Sequence, residues 1–145
     1  MKILILHGPN LNMLGRRNPE LYGSFTLDDL YEELVDQYPS VDFTYYQSNH
    51  EGELIDVIHE SMDEDYDGLI INPGAYTHTS IAIRDALELI EFLKVEVHLS
   101  DISKREAFRQ VDMIKDVCDA CFMGKKIESY FEAIEYILKS KENSQ

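Results

Sequence analysis

Positive charge is scarce in this chain. Thirteen lysines and arginines stand against 28 aspartates and glutamates, a formal net charge of −15 at pH 7. That deficit argues against nucleic acid and against an anionic membrane surface as partners, because both are held by basic patches. Long apolar runs are missing too, and nothing approaches the roughly 18 consecutive apolar residues of a membrane span. The opening "MKILILHGPN" has one lysine and a short apolar run, but "GPN" stands where small cleavage-site residues would be, so it reads as a first strand rather than a signal peptide. A cytoplasmic setting is expected. Cysteine is down to two, Cys118 and Cys121, spelling "CDAC". A redox pair of that spacing sits at a helix N-terminus after a strand. Here "VCDACFM" itself reads as a strand, so two small buried side chains are expected. Repeats, linkers and low-complexity segments are absent. The 145 residues suffice for one domain with a real core. That domain is expected over 1–140, with a frayed tail over 141–145.

What is present is a regular alternation. The runs "KILIL", "DFTYYQ", "GLIIN", "VEVHLS" and "VCDACFM" are short, β-branched or aromatic, and read as strands. Between them lie helical patterns, "TLDDLYEELVDQ", "EGELIDVIHESM", "HTSIAIRDALELIEFL" and "IESYFEAIEYILKS". In the last, Ile127, Tyr130, Phe131, Ile134 and Ile137 recur at helical spacing. Strand–helix alternation implies parallel pairing through right-handed crossovers. Five strands predict an α/β three-layer sandwich with a parallel sheet in the flavodoxin-like order 2-1-3-4-5.

Such sheets bind ligands at the carboxyl ends of their strands. The first strand is followed by "HGPNLNMLGRRNPELYG", the third by "NPGAYTHTS", and the fourth ends in "EVHLSDISKREAFR". These strands are neighbours in the predicted order, so three polar segments converge on one pocket. All five arginines (Arg16, Arg17, Arg84, Arg105, Arg109) lie in or beside those segments, which suggests an anionic small molecule. The first connection holds nearly twenty residues, and loops beyond about 12–15 residues are usually functional or disordered. It reads as a lid hinged between Gly15 and Gly23 that carries Arg17 and Tyr22. Other uses of the fold fit poorly: the acids of a phosphate-receiving regulator are replaced by "GPN" and Asn72, and the flavin-phosphate loop has no counterpart. Glu96 and His98 share a strand face. With His78 they make a two-His, one-carboxylate set, although a carboxylate orienting a catalytic histidine is the simpler account, and no metal is expected.

Taken singly, these residues have plain structural readings. Tyr22, one of nine tyrosines, can pin a turn. His98 can be a satisfied strand histidine, Asn72 a turn former before Pro-Gly, and Arg105 with Glu106 a solvated helix pair. Their joint appearance at three adjacent strand ends favours a site.

Over nearly its whole length, and in order, the chain resembles the type II 3-dehydroquinate dehydratases, through "LHGPNLNMLGRRNPELYG", "NPGAYTHTSIAIRDAL" and "VEVHLSDISKREAFR". The resemblance implies a cofactor-free lyase of the shikimate pathway, which leads to the aromatic amino acids. It implies anti elimination of water from 3-dehydroquinate through an enolate, in a homododecamer built as a tetramer of trimers. It further implies that Tyr22 is the base, Arg17 keeps it ionised, and Asn10 holds the water that stabilises the enolate. His98, oriented by Glu96, would protonate the leaving hydroxyl. Asn72, His78 and Arg109 would bind ring hydroxyls, the backbone amides of Leu99 and Ser100 the carboxylate, and Asp85 would reach a neighbouring subunit's site. The chemistry suits those residue types. A proton leaves beside a ketone while a β-hydroxyl departs, which needs a base, an acid and a donor at the enolate oxygen. Tyrosine, with an ordinary pKa of about 10, needs a cation to serve as a base. A non-catalytic sensor of an anionic metabolite is the alternative. The chain also departs from the family pattern. The usual "HLSNIHARE" is "HLSDISKRE" here, with Asp101 and Ser103 in place of Asn and His. The "HHS" and glycine-rich run expected after Arg109 is "QVDMIKDVCDACFMGKKIESY".

Overall fold

The computed structural model describes residues 1–143. Five strands, β1 (Lys2–His7), β2 (Asp42–Gln47), β3 (Gly68–Asn72), β4 (Leu93–His98) and β5 (Ala120–Met123), form one sheet in the order β2-β1-β3-β4-β5. Every pairing is parallel, as the alternation of patterns predicts. The helices are a single turn α1 (Pro19–Tyr22), α2 (Leu27–Gln37), α3 (Glu51–Ser61), α4 (Ile81–Glu88) and α5 (Ile127–Asn143). Among the described residues no helix is long and apolar enough to cross a membrane.

Strand periodicity divides the core in two. Ile3 and Ile5 of β1, Ile70 of β3 and Val95 and Val97 of β4 face Leu30 and Leu34 of α2 and Tyr130, Ile134 and Ile137 of α5. The alternate positions Leu4, Leu6, Leu69 and Ile71 face Leu54 and Ile58 of α3 and Ile83 and Leu87 of α4. β1 and β3 are therefore apolar on both sides and read as nearly unbroken apolar runs, whereas β4 carries Lys94, Glu96 and His98 on its second face. Fully burying one such Leu or Ile stabilises by about 1.5–3 kcal/mol.

The element boundaries differ from the sequence expectation in three places. First, β5 begins only at Ala120, because residues 115–117 form a 3-10 turn; Cys118 therefore precedes the strand, and both cysteines are half-buried free thiols. Second, α4 is shorter than its apolar pattern. Gly74–His78 coil as a 3-10 turn and Ser80 caps the helix, its side chain accepting from the Ile83 N–H at 2.9 Å. Third, residues 141–143 of the expected tail are the last of α5, where Lys141 pairs with Asp67 at 3.2 Å. The rest of that tail, 144–145, lies outside the described residues.

Candidate active site

The carboxyl ends of β1, β3 and β4 open into one cleft. Gly8 makes the junction: its N–H donates to the Asn72 carbonyl at 2.8 Å, and a Cβ there would stand 2.2 Å from the Pro73 carbonyl oxygen. Only glycine lets the two loops approach so closely. Two residues on, Asn10 adopts the left-handed region (φ 70°), which non-glycine residues enter at a cost that asparagine bears best. Its N–H donates to Asn49 Oδ1 at 3.0 Å.

Asn10, Arg17 and Tyr22 line the cleft from the first loop, Asn72 and His78 from the second, and His98, Leu99, Ser100 and Arg109 from the third. Glu96 does not touch the cleft; it lies directly behind His98, with its Oε2 2.5 Å from Nε2. Asp85 is apart, exposed on α4. The structure thus brings together nine of the predicted residues, adds Glu96 as support, and leaves Asp85 outside the cleft of its own chain.

The first loop is folded rather than slack. It holds a 3-10 turn, Leu11–Met13, and then α1, which Asn18 caps by accepting from the Glu20 N–H at 3.0 Å. Gly15 and Gly23 both have positive φ, so the turns at either end of this segment need glycine. Arg17 lays its guanidinium 3.7 Å from the centroid of the Tyr22 ring. A second cation reaches the tyrosine hydroxyl: Arg105 Nη1 donates to Tyr22 Oη at 2.7 Å and reaches Ser100 Oγ at 3.4 Å. Arg105 is thus not a solvated helix residue. It follows a 3-10 turn and lines the cleft, pairing with Glu106 only at 3.7 Å. Its residue type and segment are legible in the sequence, but a contact 83 positions away is not.

Arg84 departs from the anion-binding expectation. It forms a bidentate pair with Asp116 and donates to the Met113 carbonyl at 2.8 Å, so it pins the 113–116 segment. Arg16 is exposed. The guanidiniums lining the cleft are those of Arg17, Arg105 and Arg109. Burial lowers the Arg17 pKa from its usual value, against an opposing contribution from Tyr22.

Two buried polar groups fix the cleft from behind. On the α2/α5 face, fully buried His7 joins Tyr31 Oη (3.0 Å) and Tyr130 Oη (2.7 Å), and Asn72 Nδ2 donates to Tyr130 Oη at 3.2 Å. Tyr130 accepts from Asn72 and keeps its own hydroxyl proton to give to His7 Nε2; in that arrangement Nδ1–H of His7 donates to Tyr31. Asn72 Oδ1 accepts from the Gly74 N–H at 3.2 Å. The Asn72 amide is therefore oriented with its second N–H free to meet a ligand. Desolvation lowers His7 to about 3, so it is neutral, as this chain of bonds requires. On the other face, Glu96 and His98 meet Asp112, and their ligand atoms lie within 4.8 Å of one another. Among the described residues this is the one group spaced to hold a cation; His78 is not part of it, since its Nδ1 donates to the Val111 carbonyl at 2.8 Å. Sequence reasoning passed over His7, Tyr130 and Asp112. The departure of "QVD" from the expected run was the signal available for Asp112.

Residues 1–138 match the family described as Dehydroquinase class II. A 3-dehydroquinate dehydratase of Thermotoga neapolitana is 49% identical over the whole of both chains. Among solved structures, a type II dehydroquinase from Butyrivibrio crossotus superposes with a TM-score of 0.92 at 42% identity, covering 94% of this chain and 97% of the other. The corresponding protein from Propionibacterium acnes gives 0.89 at 35% identity, covering 94% of each.

Proposed function

This chain belongs to the class II dehydroquinases, and we infer that it dehydrates 3-dehydroquinate to 3-dehydroshikimate in the shikimate pathway, which supplies the aromatic amino acids. The observation that carries the reading of its mechanism is the placement of Tyr22 and His98 in one cleft, the first held by guanidiniums and the second backed by a carboxylate.

Tyr22 removes the proton beside the ring ketone. Arg105 at its hydroxyl and Arg17 on its ring favour negative charge on that oxygen. Arginine suits this task because it stays charged throughout the working pH range. The electron pair released forms the enolate, whose oxygen is met by a water on Asn10. His98 then gives a proton to the departing hydroxyl from the opposite side, an anti elimination. Glu96 accepts from Nε2–H, which leaves Nδ1 as the nitrogen that faces the substrate. Asn72, His78 and Arg109 bind ring hydroxyls. With Nδ1–H of His78 given to Val111, its Nε2 is an acceptor. The backbone amides of Leu99 and Ser100 take the carboxylate. Base, acid and enolate donor come from side chains and water, so the reaction uses no cofactor and no metal.

Asp85 acts in a neighbouring subunit's site. In support, Ile81, Asp85 and Leu89 lie four residues apart on one exposed stripe of α4 and its end, with Ile81 58% and Leu89 55% exposed. The assembly is a homododecamer, a tetramer of trimers. The setting is cytoplasmic, and the net charge of −15 disfavours nucleic acid as a partner. The test is direct: 3-dehydroquinate added to the protein should give the absorbance of a conjugated enone, at the same rate with or without EDTA. Absence of that absorbance defeats the reading, and a loss in EDTA restored by zinc defeats its metal-free form.

A further inference from the structure

Behind His98 two carboxyl groups meet without a donor between them. Glu96 Oε1 and Asp112 Oδ2 are both buried, and neither finds a hydrogen-bond partner among the described residues. The other oxygen of each acid is spoken for. Glu96 Oε2 takes the imidazole at 2.5 Å, and Asp112 Oδ1 accepts the N–H groups of Ile114 and Lys115, each at 3.1 Å. One oxygen of each carboxyl and a nitrogen of the imidazole lie within 4.8 Å of one another. This placement is enforced. The Met113 N–H donates to the Thr77 carbonyl at 2.8 Å, His78 holds the Val111 carbonyl, and Arg84 holds the Met113 carbonyl. Asp112 is thereby fixed from both sides.

Two ionised carboxylates cannot be apposed in a buried site without large repulsion, and a single proton between them removes both the repulsion and the two orphaned acceptors. We propose that Asp112 is a positioning residue for the Glu96–His98 pair: its carboxyl keeps a proton at neutral pH and donates it to Glu96 Oε1, joining the two acids behind the imidazole. Glu96 is then clamped at both oxygens, and His98 is held with Nε2 as the donor. The cluster carries one negative charge instead of two.

The surroundings agree. Burial and the neighbouring Glu96 push Asp112 up to about 7. The thiols of Cys118 and Cys121 face the same acids and are pushed up by burial, so both stay neutral; Lys115 is the cation that acts on Glu96, while Lys94 and Asp119 act on Cys118. An acid whose pKa is raised in the folded state holds a proton that the unfolded chain has already released. Asp112 therefore costs stability progressively as pH rises from about 4 towards about 7.

The test is thermal unfolding of the full-length protein from pH 5 to 8, comparing wild type, Asp112→Asn and Asp112→Ser. Asparagine keeps the shape and offers Glu96 an N–H at every pH. Relative to Asp112→Asn, wild type should lose several degrees of melting temperature as pH rises, and the infrared band of a protonated carboxylic acid seen at pH 6 should vanish in either variant. Parallel melting curves, or an unchanged infrared band, overturn the proposal. So does a divalent cation that raises the melting temperature of wild type alone, because the cluster would then be a cation site. These readouts stand without any activity, so they separate failure here from failure of the dehydratase reading. Under that reading, Asp112 favours the proton on His98 only once it ionises, above about pH 7. Asp112→Asn should then move the alkaline limb of turnover to lower pH with KM unchanged. An equal loss at every pH would mean a merely structural role.

Discussion

Tyr22 and His98 face the same cleft from opposite surroundings. Tyr22 rides on a single helical turn in a long loop, half-buried, with one guanidinium against its ring and another on its hydroxyl. His98 ends a central strand, 5% exposed, with two carboxyl groups behind it. By ordinary values of about 10 and 6.5, a tyrosine would serve as the acid and a histidine as the base. The proposed reaction needs the reverse. Cations surround the one group, while around the other the acids favour positive charge but burial outweighs them and lowers His98 to about 4. A flexible element carries the group served by long arginines, and a rigid one carries the group that needs an oriented partner.

The hardest blow to this contrast is Tyr22→Phe. Loss of a positioned base should lower turnover by roughly 10²–10⁴-fold, while stability shifts by no more than about 0.5 kcal/mol, because the change keeps the ring that packs against the core and deletes only a half-buried hydroxyl. Near-normal turnover would remove the tyrosine side of the comparison altogether. Next in size are Arg105→Gln and Arg17→Gln. Either should move the acidic limb of the rate–pH curve towards alkaline pH, and each unit of movement is a tenfold loss at a fixed lower pH. Because Arg105 makes the hydroxyl contact, its variant should move further; the opposite order would return the main role to Arg17. Smaller again is Tyr130→Phe, which strands His7 Nε2 and Asn72 Nδ2 and should cost about 1–3 kcal/mol in denaturant unfolding. It should raise KM more than it lowers kcat, and an unchanged KM would show that Asn72 keeps its orientation unaided. The mildest test is His7→Gln. In the folded state His7 is lowered to about 3 from 6.5, so the unfolded chain binds a proton the folded one refuses. Stability is lost as pH falls through that window, and the variant should flatten that loss. A slope equal to wild type would place the acid sensitivity elsewhere.

The sheet order and the meeting of three loops were legible from the sequence, because apolar runs such as "GLIIN" and the polar segments after them are local patterns. Asn10, Asn72, His78 and His98 could be placed at the cleft for the same reason: each sits at or just beyond a strand end, and Arg17 and Tyr22 belong to the long loop that follows the first strand. What escaped depends on tertiary approach. Arg105 meets Tyr22 only once the first loop is folded over, and Tyr130 looks like any apolar position of α5 until β1 brings His7 to it. Asp112 lies in a stretch with no periodicity, positioned by carbonyls of other loops. The late start of β5 has a similar cause, since the 3-10 turn before it is tied to Arg84 through Asp116.

Arg17, Arg105 and Arg109 line the wall of a particle with 28 acidic and 13 basic side chains. A carboxylate approaching from solvent first feels the field of the whole particle, which repels it, and meets the guanidiniums only at short range. Salt acts unequally on these two effects. The screening length shrinks from about 30 Å at 0.01 M to about 8 Å at 0.15 M, while partly buried charges are screened much less. Capture of an anionic substrate should therefore quicken as salt rises to 0.15 M, the reverse of a protein that steers its ligand with an oppositely charged surface. The long-range field repels anions, and the guanidiniums in the cleft oppose it only at short range.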